Sequence, residues 1–373
     1  MPVPAAAGEA RDRRFMAAAL RLSGWNEGRT ATNPSVGTLI VRDDGAGPFI
    51  VGRGITALGG RPHAEAQALD EAGELAHGAT AYVTLEPCAH HGRTPPCAEA
   101  LVAAGVARVV GAASDPDPRV SGKGYAMLRR FGVEVVEDVL AAEAEDLMAA
   151  YLTRSSKNRA HVTLKLALSR DGMIGRLGVG QVTITGPTSR RQAQLMRARA
   201  DAILVGVNTA VTDDPWLTVR LPGLEHRSPV RLVIDRQARL PLSSKLVVTV
   251  LEAPVMAAVG AEAEPRRRAA LVKAGVTIIA ADTFDRRVAL PELLEDLAAR
   301  GISSVLVEGG AETARHFLDE GLVDRIALFR SDVEVGAEGI ASPIDEAGIP
   351  AGFELKRQAH FDNDRYMEWA RAG

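Results

Sequence analysis

The chain has 373 residues, 46% of them hydrophobic and 24% charged, which is long for a single core and makes two domains the default expectation. A formal net charge of -3 and an aromatic content of 4% lack the basic, aromatic-rich footprint of a polynucleotide binder. No uncharged apolar run reaches the roughly 18 residues of a membrane span, and the first ten residues do not read as a secretory signal, so a soluble cytoplasmic protein is expected.

Strand-like apolar runs alternate with helical patterns along the whole chain, which argues α/β layering. Residues 11–25 read as a helix, and 36–42 with 49–52 as paired strands across Asp43-Asp44-Gly45. A helix over 63–74, a strand over 81–85, a helix over 98–104 and a strand over 107–113 follow. A strand at 133–136 then leads to an alanine-rich helix over 140–152. The polar stretch 153–159 shows no apolar face and marks a boundary, giving domains 1–157 and 158–373. Beyond it, strands are expected at 161–168, 202–207, 230–234, 246–251, 276–279, 303–307 and 325–329, with helices such as 190–199 and 290–300 between them.

Chemistry concentrates at the ends of the first-domain elements. His63 opens a predicted helix, Glu65 stands two residues on, and the only two cysteines, Cys88 and Cys97, fall just before or at predicted helix starts, where the dipole favours thiolate. In the absence of a secretory signal, two cysteines read as metal thiolates rather than a disulfide. One imidazole and two thiolates leave a fourth zinc position open, and a carboxylate beside the metal rather than on it is free to shuttle protons. Taken alone, a His-x-Glu pair is ordinary content for a surface helix. Pro87-Cys88 after a strand and Cys97 before another helix turn it into a zinc-deaminase constellation. The spacing departs from the general signature, because eight residues separate the cysteines instead of two.

That long insert carries a resemblance. Thr84-Leu85-Glu86-Pro87-Cys88-Ala89-His90-His91-Gly92-Arg93-Thr94-Pro95-Pro96-Cys97 closely resembles the bifunctional deaminase/reductase family of riboflavin biosynthesis. Asn33-Pro34-Ser35-Val36-Gly37, Pro62-His63-Ala64-Glu65, Asp115-Pro116-Asp117-Pro118 and Gly122-Lys123-Gly124 support it in the first half. Lys165, Asp171-Gly172, Asp213-Asp214-Pro215, Leu217-Thr218-Val219-Arg220 and Val307-Glu308-Gly309-Gly310 support it in the second. The resemblance implies a cytidine-deaminase-like α/β/α domain followed by a dihydrofolate-reductase-like α/β domain, with zinc and NADPH as cofactors.

It implies two small-molecule reactions on phosphoribosyl pyrimidines: hydrolytic deamination, then reduction of the ribosylamino group to ribitylamino. By motif match, His63, Cys88 and Cys97 hold zinc and Glu65 carries the proton; Asn33, His90 and Arg93 meet the deaminase substrate, Arg93 at its phosphate. Lys165, Gln181, Arg197, Leu217, Arg220 and Glu308 are assigned to the reductase substrate. Ala167, Thr183, Thr209, Asp213, Arg236 and the run Gly310, Ala311, Glu312, Thr313, Ala314, Arg315 and His316 are assigned to the cofactor. Family members associate into oligomers, so a homo-oligomer is expected.

No G-x-G-x-x-G fingerprint is present, which disfavours a Rossmann domain. Gly309-Gly310 instead follow an apolar strand and open a helix, leaving backbone N–H groups for a phosphate. Four positions depart from the family pattern: Thr56 for histidine, Ser35 for asparagine, Thr183 for tryptophan, and Arg236 for serine, where an arginine suits a 2′-phosphate. Competing readings are a nucleic-acid deaminase, a zinc-stabilised binding module, and a deaminase whose reductase-like domain is inactive.

Overall fold

Five consecutive buried residues open the strand β1 (Gly37–Asp43), the pattern of a strand covered on both faces. The structure is a computed structural model and describes residues 5–91 and 95–372. The chain divides into two compact units, Met1–Asn158 and Arg159–Gly373.

In the first unit, β2 (Pro48–Ile55), β1, β3 (Thr80–Leu85), β4 (Arg108–Ala113) and β5 (Glu134–Val136) form a sheet in that order. β2 and β3 run antiparallel to β1, and β4 and β5 continue parallel to β3. The helices are α1 (Ala5–Ser23), α2 (Ala64–Ala72), α3 (Cys97–Ala103), α4 (Lys123–Arg130), α5 (Ala141–Leu147) and α6 (Ala149–Lys157). Gly52 and Gly54 explain how closely α2 sits on β2. A Cβ at Gly54 would lie 1.9 Å from the Ala64 carbonyl oxygen, and one at Gly52 would lie 2.1 Å from that of Ala68. Bare backbone is therefore what seats the helix that presents His63 and Glu65.

Two expectations are corrected here. The helix over 140–152 is broken at Met148 into α5 and α6, and the polar segment after it is helical through Lys157 rather than a linker. Tyr151 and Leu152 supply the apolar contact, packing against the first-unit core, and Thr153 is buried with them.

The main sheet of the second unit has nine strands: β6 (His161–Leu168), β8 (Ala202–Gly206), β9 (Val230–Ile234), β10 (Val255–Gly260), β11 (Thr277–Ala281), β14 (Ser304–Val307), β15 (Arg325–Arg330), β17 (Phe353–Phe361) and β18 (Asp364–Arg371). Their order is β11-β10-β9-β8-β14-β6-β15-β18-β17. Pairing is parallel from β11 to β15, and β18 and β17 close that edge as an antiparallel hairpin. Short ribbons pair β7 (Met173–Arg176) with β16 (Gly339–Ala341), and β12 (Thr283–Phe284) with β13 (Arg287–Val288). Alternation along β8 sends Ala202 and Leu204 into one core and Ile203 and Val205 into another, so both faces of the sheet are covered. The covering helices are α7 (Pro187–Arg199), α8 (Val207–Asp213), α9 (Lys245–Val248), α10 (Pro265–Lys273), α11 (Leu290–Ala299) and α12 (Ala311–Asp319).

The strand expected at 246–251 is instead the short helix α9. Ser244 caps it, accepting from the Val247 N–H at 3.4 Å, and Leu251 is 99% exposed, so the run has no alternating buried face. Its place in the sheet is taken by β10. No described helix is long and apolar enough to cross a membrane.

Candidate active sites

In the first unit, His63 occupies the N-cap position of α2, Cys97 is the first residue of α3, and Cys88 lies in the loop after β3. Cys88 is therefore not at a helix start. What supports its thiolate is the backbone N–H of Cys97, which donates to Sγ at 3.3 Å. The His63 Nδ1 stands 3.3 Å from Cys97 Sγ and 3.8 Å from Cys88 Sγ, and the three ligand atoms lie within 4.8 Å of one another. Tetrahedral zinc with ordinary bond lengths puts nitrogen and sulfur ligands about 3.6 Å apart. The two-sulfur, one-nitrogen donor set fits zinc in type and spacing.

Hydrogen bonding to Cys97 and to His63 holds the Cys88 thiol down at about 4 against the cost of burial. The same contact with Cys88 raises Cys97 and, from the other side, raises His63. Glu65 is 4% exposed and lies outside the metal cluster. Burial, then the negative Cys88, push its carboxyl up to about 6, which suits a group that must take up and release a proton near neutrality.

A cavity of about 510 Å³ opens beside this cluster, and Asn33, His63, Glu65, Cys88 and His90 line it. The Nδ1 of His90 is buried without a hydrogen-bond partner among the described residues. His91, by contrast, is turned outward, 3.1 Å from Glu99 on the surface. Arg93 lies outside the described residues. Thr56 lines the cavity with its hydroxyl occupied, accepting from the Val36 N–H at 2.9 Å. Sequence reasoning did not assign Asp115, Asp117, Tyr151 and Arg154, which also line it. The Asp115-Pro116-Asp117-Pro118 motif is the available signal for the aspartates; Tyr151, in the expected helix 140–152, and Arg154, in the polar stretch 153–159, carry none.

Glu86 fixes the loop that carries Cys88. Its carboxylate accepts from the Gly122 and Gly124 N–H groups, each at 2.9 Å, at the start of α4. A Cβ at Gly124 would lie 2.0 Å from the Pro87 carbonyl oxygen, so the close approach of α4 to the Glu86-Pro87-Cys88 turn requires glycine.

The second unit has its own cavity, about 800 Å³, at the carboxyl ends of β6, β8, β9 and β14, where ligands bind in open parallel sheets. Arg197 on α7 donates through Nε and Nη2 to the two oxygens of Glu308 at 2.8 and 2.9 Å. Lys165 Nζ stands 3.8 Å from the same carboxylate and 5.5 Å from the Phe329 ring centre. Burial works against the Glu308 charge, but Arg197 and then Lys165 outweigh it and hold the carboxyl at about 2. Burial lowers Lys165 and Arg220. Three cations around one carboxylate leave this corner positive, which suits a phosphorylated ligand.

Most second-unit assignments meet in this cavity: Lys165, Ala167, Gln181, Thr183, Thr209, Asp213, Arg236 and the start of α12 with His316 all line it. Three do not. Leu217 is 4% exposed inside a hydrophobic core, Ala314 is fully buried on the inner face of α12, and Arg315 points to solvent on its outer face. The helical period separates these two from Thr313 and His316. Gly310 N–H donates to Thr209 Oγ1 at 3.1 Å, tying α8 to the start of α12. Arg236 is paired with Glu262 rather than open to the cavity alone. Arg239, Arg286 and Arg287, which sequence reasoning missed, add positive charge to the lining.

A hydrolytic zinc-deaminase unit joined to a reductase unit is the class that this fold and these two sites define. The description "Cytidine and deoxycytidylate deaminase zinc-binding region" matches residues 9–113, and "RibD C-terminal domain" matches 160–366. Asp115, Asp117, Tyr151 and Arg154 lie beyond the first match. The riboflavin biosynthesis protein RibD of Aquifex aeolicus is 41% identical over 338 residues, covering 91% of each chain. That of Escherichia coli is 38% identical over 338 residues, covering 88% of this chain and 89% of its own. Acinetobacter baumannii RibD superposes with a TM-score of 0.84 at 35% identity, covering 98% of this chain and 100% of that one. The Thermotoga maritima diaminohydroxyphosphoribosylaminopyrimidine deaminase/5-amino-6-(5-phosphoribosylamino)uracil reductase has the same TM-score at 32% identity and the same coverage. The chain belongs to the RibD family of bifunctional riboflavin-biosynthesis enzymes, with a zinc-dependent deaminase and an NADPH-dependent reductase.

Proposed function

We propose that the first unit deaminates 2,5-diamino-6-(5-phosphoribosylamino)pyrimidin-4-one, and that the second reduces the resulting 5-amino-6-(5-phosphoribosylamino)uracil to its ribityl counterpart. The observation that carries the first half is Glu65, buried beside the His63, Cys88 and Cys97 cluster yet outside it. When bound there, zinc makes a water nucleophilic near neutral pH. Glu65 takes the proton from that water and delivers it to the amino nitrogen; the carbon–oxygen bond forms, the carbon–nitrogen bond breaks, and ammonia leaves. Asn33 and His90 orient the pyrimidine, and Arg93 meets the phosphate.

In the second unit, NADPH bound against Thr209 and the start of α12 would supply the hydride that reduces the anomeric carbon of the ribosyl group. The ring carbon–oxygen bond breaks, and the ring oxygen leaves as the new hydroxyl after gaining a proton. Lys165, Arg197, Arg220 and Glu308 hold the sugar phosphate, and Thr209 with the start of α12 receives the cofactor phosphates. A small ribotide rather than a polynucleotide is the fitting substrate for a chain with a formal net charge of -3. Incubating the purified protein with the diaminopyrimidine ribotide, with and without NADPH, tests both halves. Ammonia release followed by NADPH oxidation is expected; ammonia without oxidation would remove the reductase assignment, and neither signal would remove both.

A further inference from the structure

The deaminase cavity has a wall that the zinc cluster does not explain. α6 brings Tyr151, Arg154 and Ser155 to the same cavity as His63 and Glu65. The Tyr151 hydroxyl reaches both carboxylate oxygens of Asp115 at 3.0 Å, which fixes the helix to the loop after β4. Arg154 is placed differently. Its Nη2 donates to the Thr32 carbonyl, and its Nε is buried without a hydrogen-bond partner. Among the described residues no carboxylate pairs with it. Arg119, on the same cavity, is by contrast taken up by Asp117 through both Nε and Nη2.

Besides the bond to Thr32, this half-buried guanidinium keeps N–H donors that an anion in the cavity can take up. The substrate of this cavity carries one. We propose that Arg154 binds the phosphate of the ribosyl group during deamination, so that the last helix of the first unit is part of the deaminase site. The assignment rests on the deaminase reading above. It adds a contact from α6 to the one assigned to Arg93 by motif match, and a phosphate has oxygens enough for two guanidinium groups. The opposing explanation is a structural clip in which Arg154 only holds the Thr32 carbonyl beside Asn33.

Arg154→Gln separates the two, because glutamine keeps an N–H donor for Thr32 but loses the charge. Steady-state ammonia release by the full-length zinc-loaded protein is measured on the ribotide and on its dephosphorylated riboside. With Arg154→Gln the KM for the ribotide should rise roughly 10- to 100-fold with kcat within about 3-fold, the size of a lost charge-assisted contact. The KM for the riboside should match that of the unaltered protein, and Arg154→Lys should recover part of the ribotide loss. An unchanged ribotide KM, or an equal loss on both substrates, overturns the phosphate contact while leaving the deaminase reading intact. No ammonia from the unaltered protein on either substrate overturns that reading and this one with it.

Discussion

Arg197 and Glu308 face each other edge to edge, two N–H groups donating to two carboxylate oxygens at 2.8 and 2.9 Å, with Lys165 3.8 Å from the same carboxylate. Both side chains of the pair are nearly closed to solvent, 13% and 9% exposed. Removing the carboxylate leaves like charges buried together. Glu308→Gln should therefore destabilise the second unit by about 3–5 kcal/mol, and reduction of supplied deaminated intermediate should fall with it. Ammonia release by the first unit should continue at its original rate. Reduction at an unaltered rate would show that the pair neither holds the sugar phosphate nor shapes its site.

The same pair sets an acid limit. Glu308 is held at about 2 against an ordinary 4.5, by Arg197 first and then Lys165, with burial opposing them. A carboxyl lowered in the folded state binds fewer protons folded than unfolded between those values. Its contribution is present above about pH 4.5 and is lost as pH falls toward 2. Hydrogen exchange of backbone amides around β14 should accelerate across that window after correction for the intrinsic rate. In Glu308→Gln the acceleration should be smaller. An equal acid response in both proteins would assign the sensitivity to other carboxylates.

Glu65 stands beside the metal cluster, not in it, so its substitution separates proton transfer from metal binding. Glu65→Gln should keep one zinc per chain by metal analysis and lower kcat for deamination by roughly 10²–10⁴-fold. Reduction of supplied intermediate should be unchanged. Loss of zinc together with activity would make Glu65 a support for the cluster and remove it as the proton carrier.

The zinc cluster was legible because it is written in residue type and local spacing: His63, Glu65, Cys88 and Cys97 have few other uses in that order, and the strand and helix starts that carry them follow apolar periodicity. The part of α6 beyond Leu152 was not legible, because Thr153 alone is buried within the polar run 153–157, and only the packed structure shows that the helix continues through it. Leu217 and Ala314 are placed apart from the other matched positions, with their side chains turned away from the cavity. A motif match places residues near a ligand by sequence, but the helical period and the chain's turn after α8 put these two side chains into the hydrophobic interior. The run 246–251 failed because apolar content alone does not distinguish a strand from a capped helical turn; Ser244 was the cue.

Gly124 tests whether the Cys88 ligand is held from behind. The Glu86 carboxylate takes two N–H groups at the start of α4, and the helix comes close enough that a Cβ at Gly124 would meet the Pro87 carbonyl oxygen at 2.0 Å and Glu86 Cγ at 3.2 Å. A carbonyl in the main chain cannot swing aside as a flexible side-chain tip can. In Gly124→Ala either α4 or the Glu86-Pro87-Cys88 turn must move, and the hydrogen bonds that set the direction of Cys88 stretch with it. Supporting contacts of this kind are worth about 10- to 100-fold in metal affinity. Zinc competition against a chelator should show a loss in that range, with deamination falling in proportion to the zinc lost and recovering at excess zinc. The reductase of the second unit should keep its rate. Unaltered zinc affinity would mean that the turn absorbs the methyl group without moving Cys88, and that the Glu86 contacts serve α4 alone.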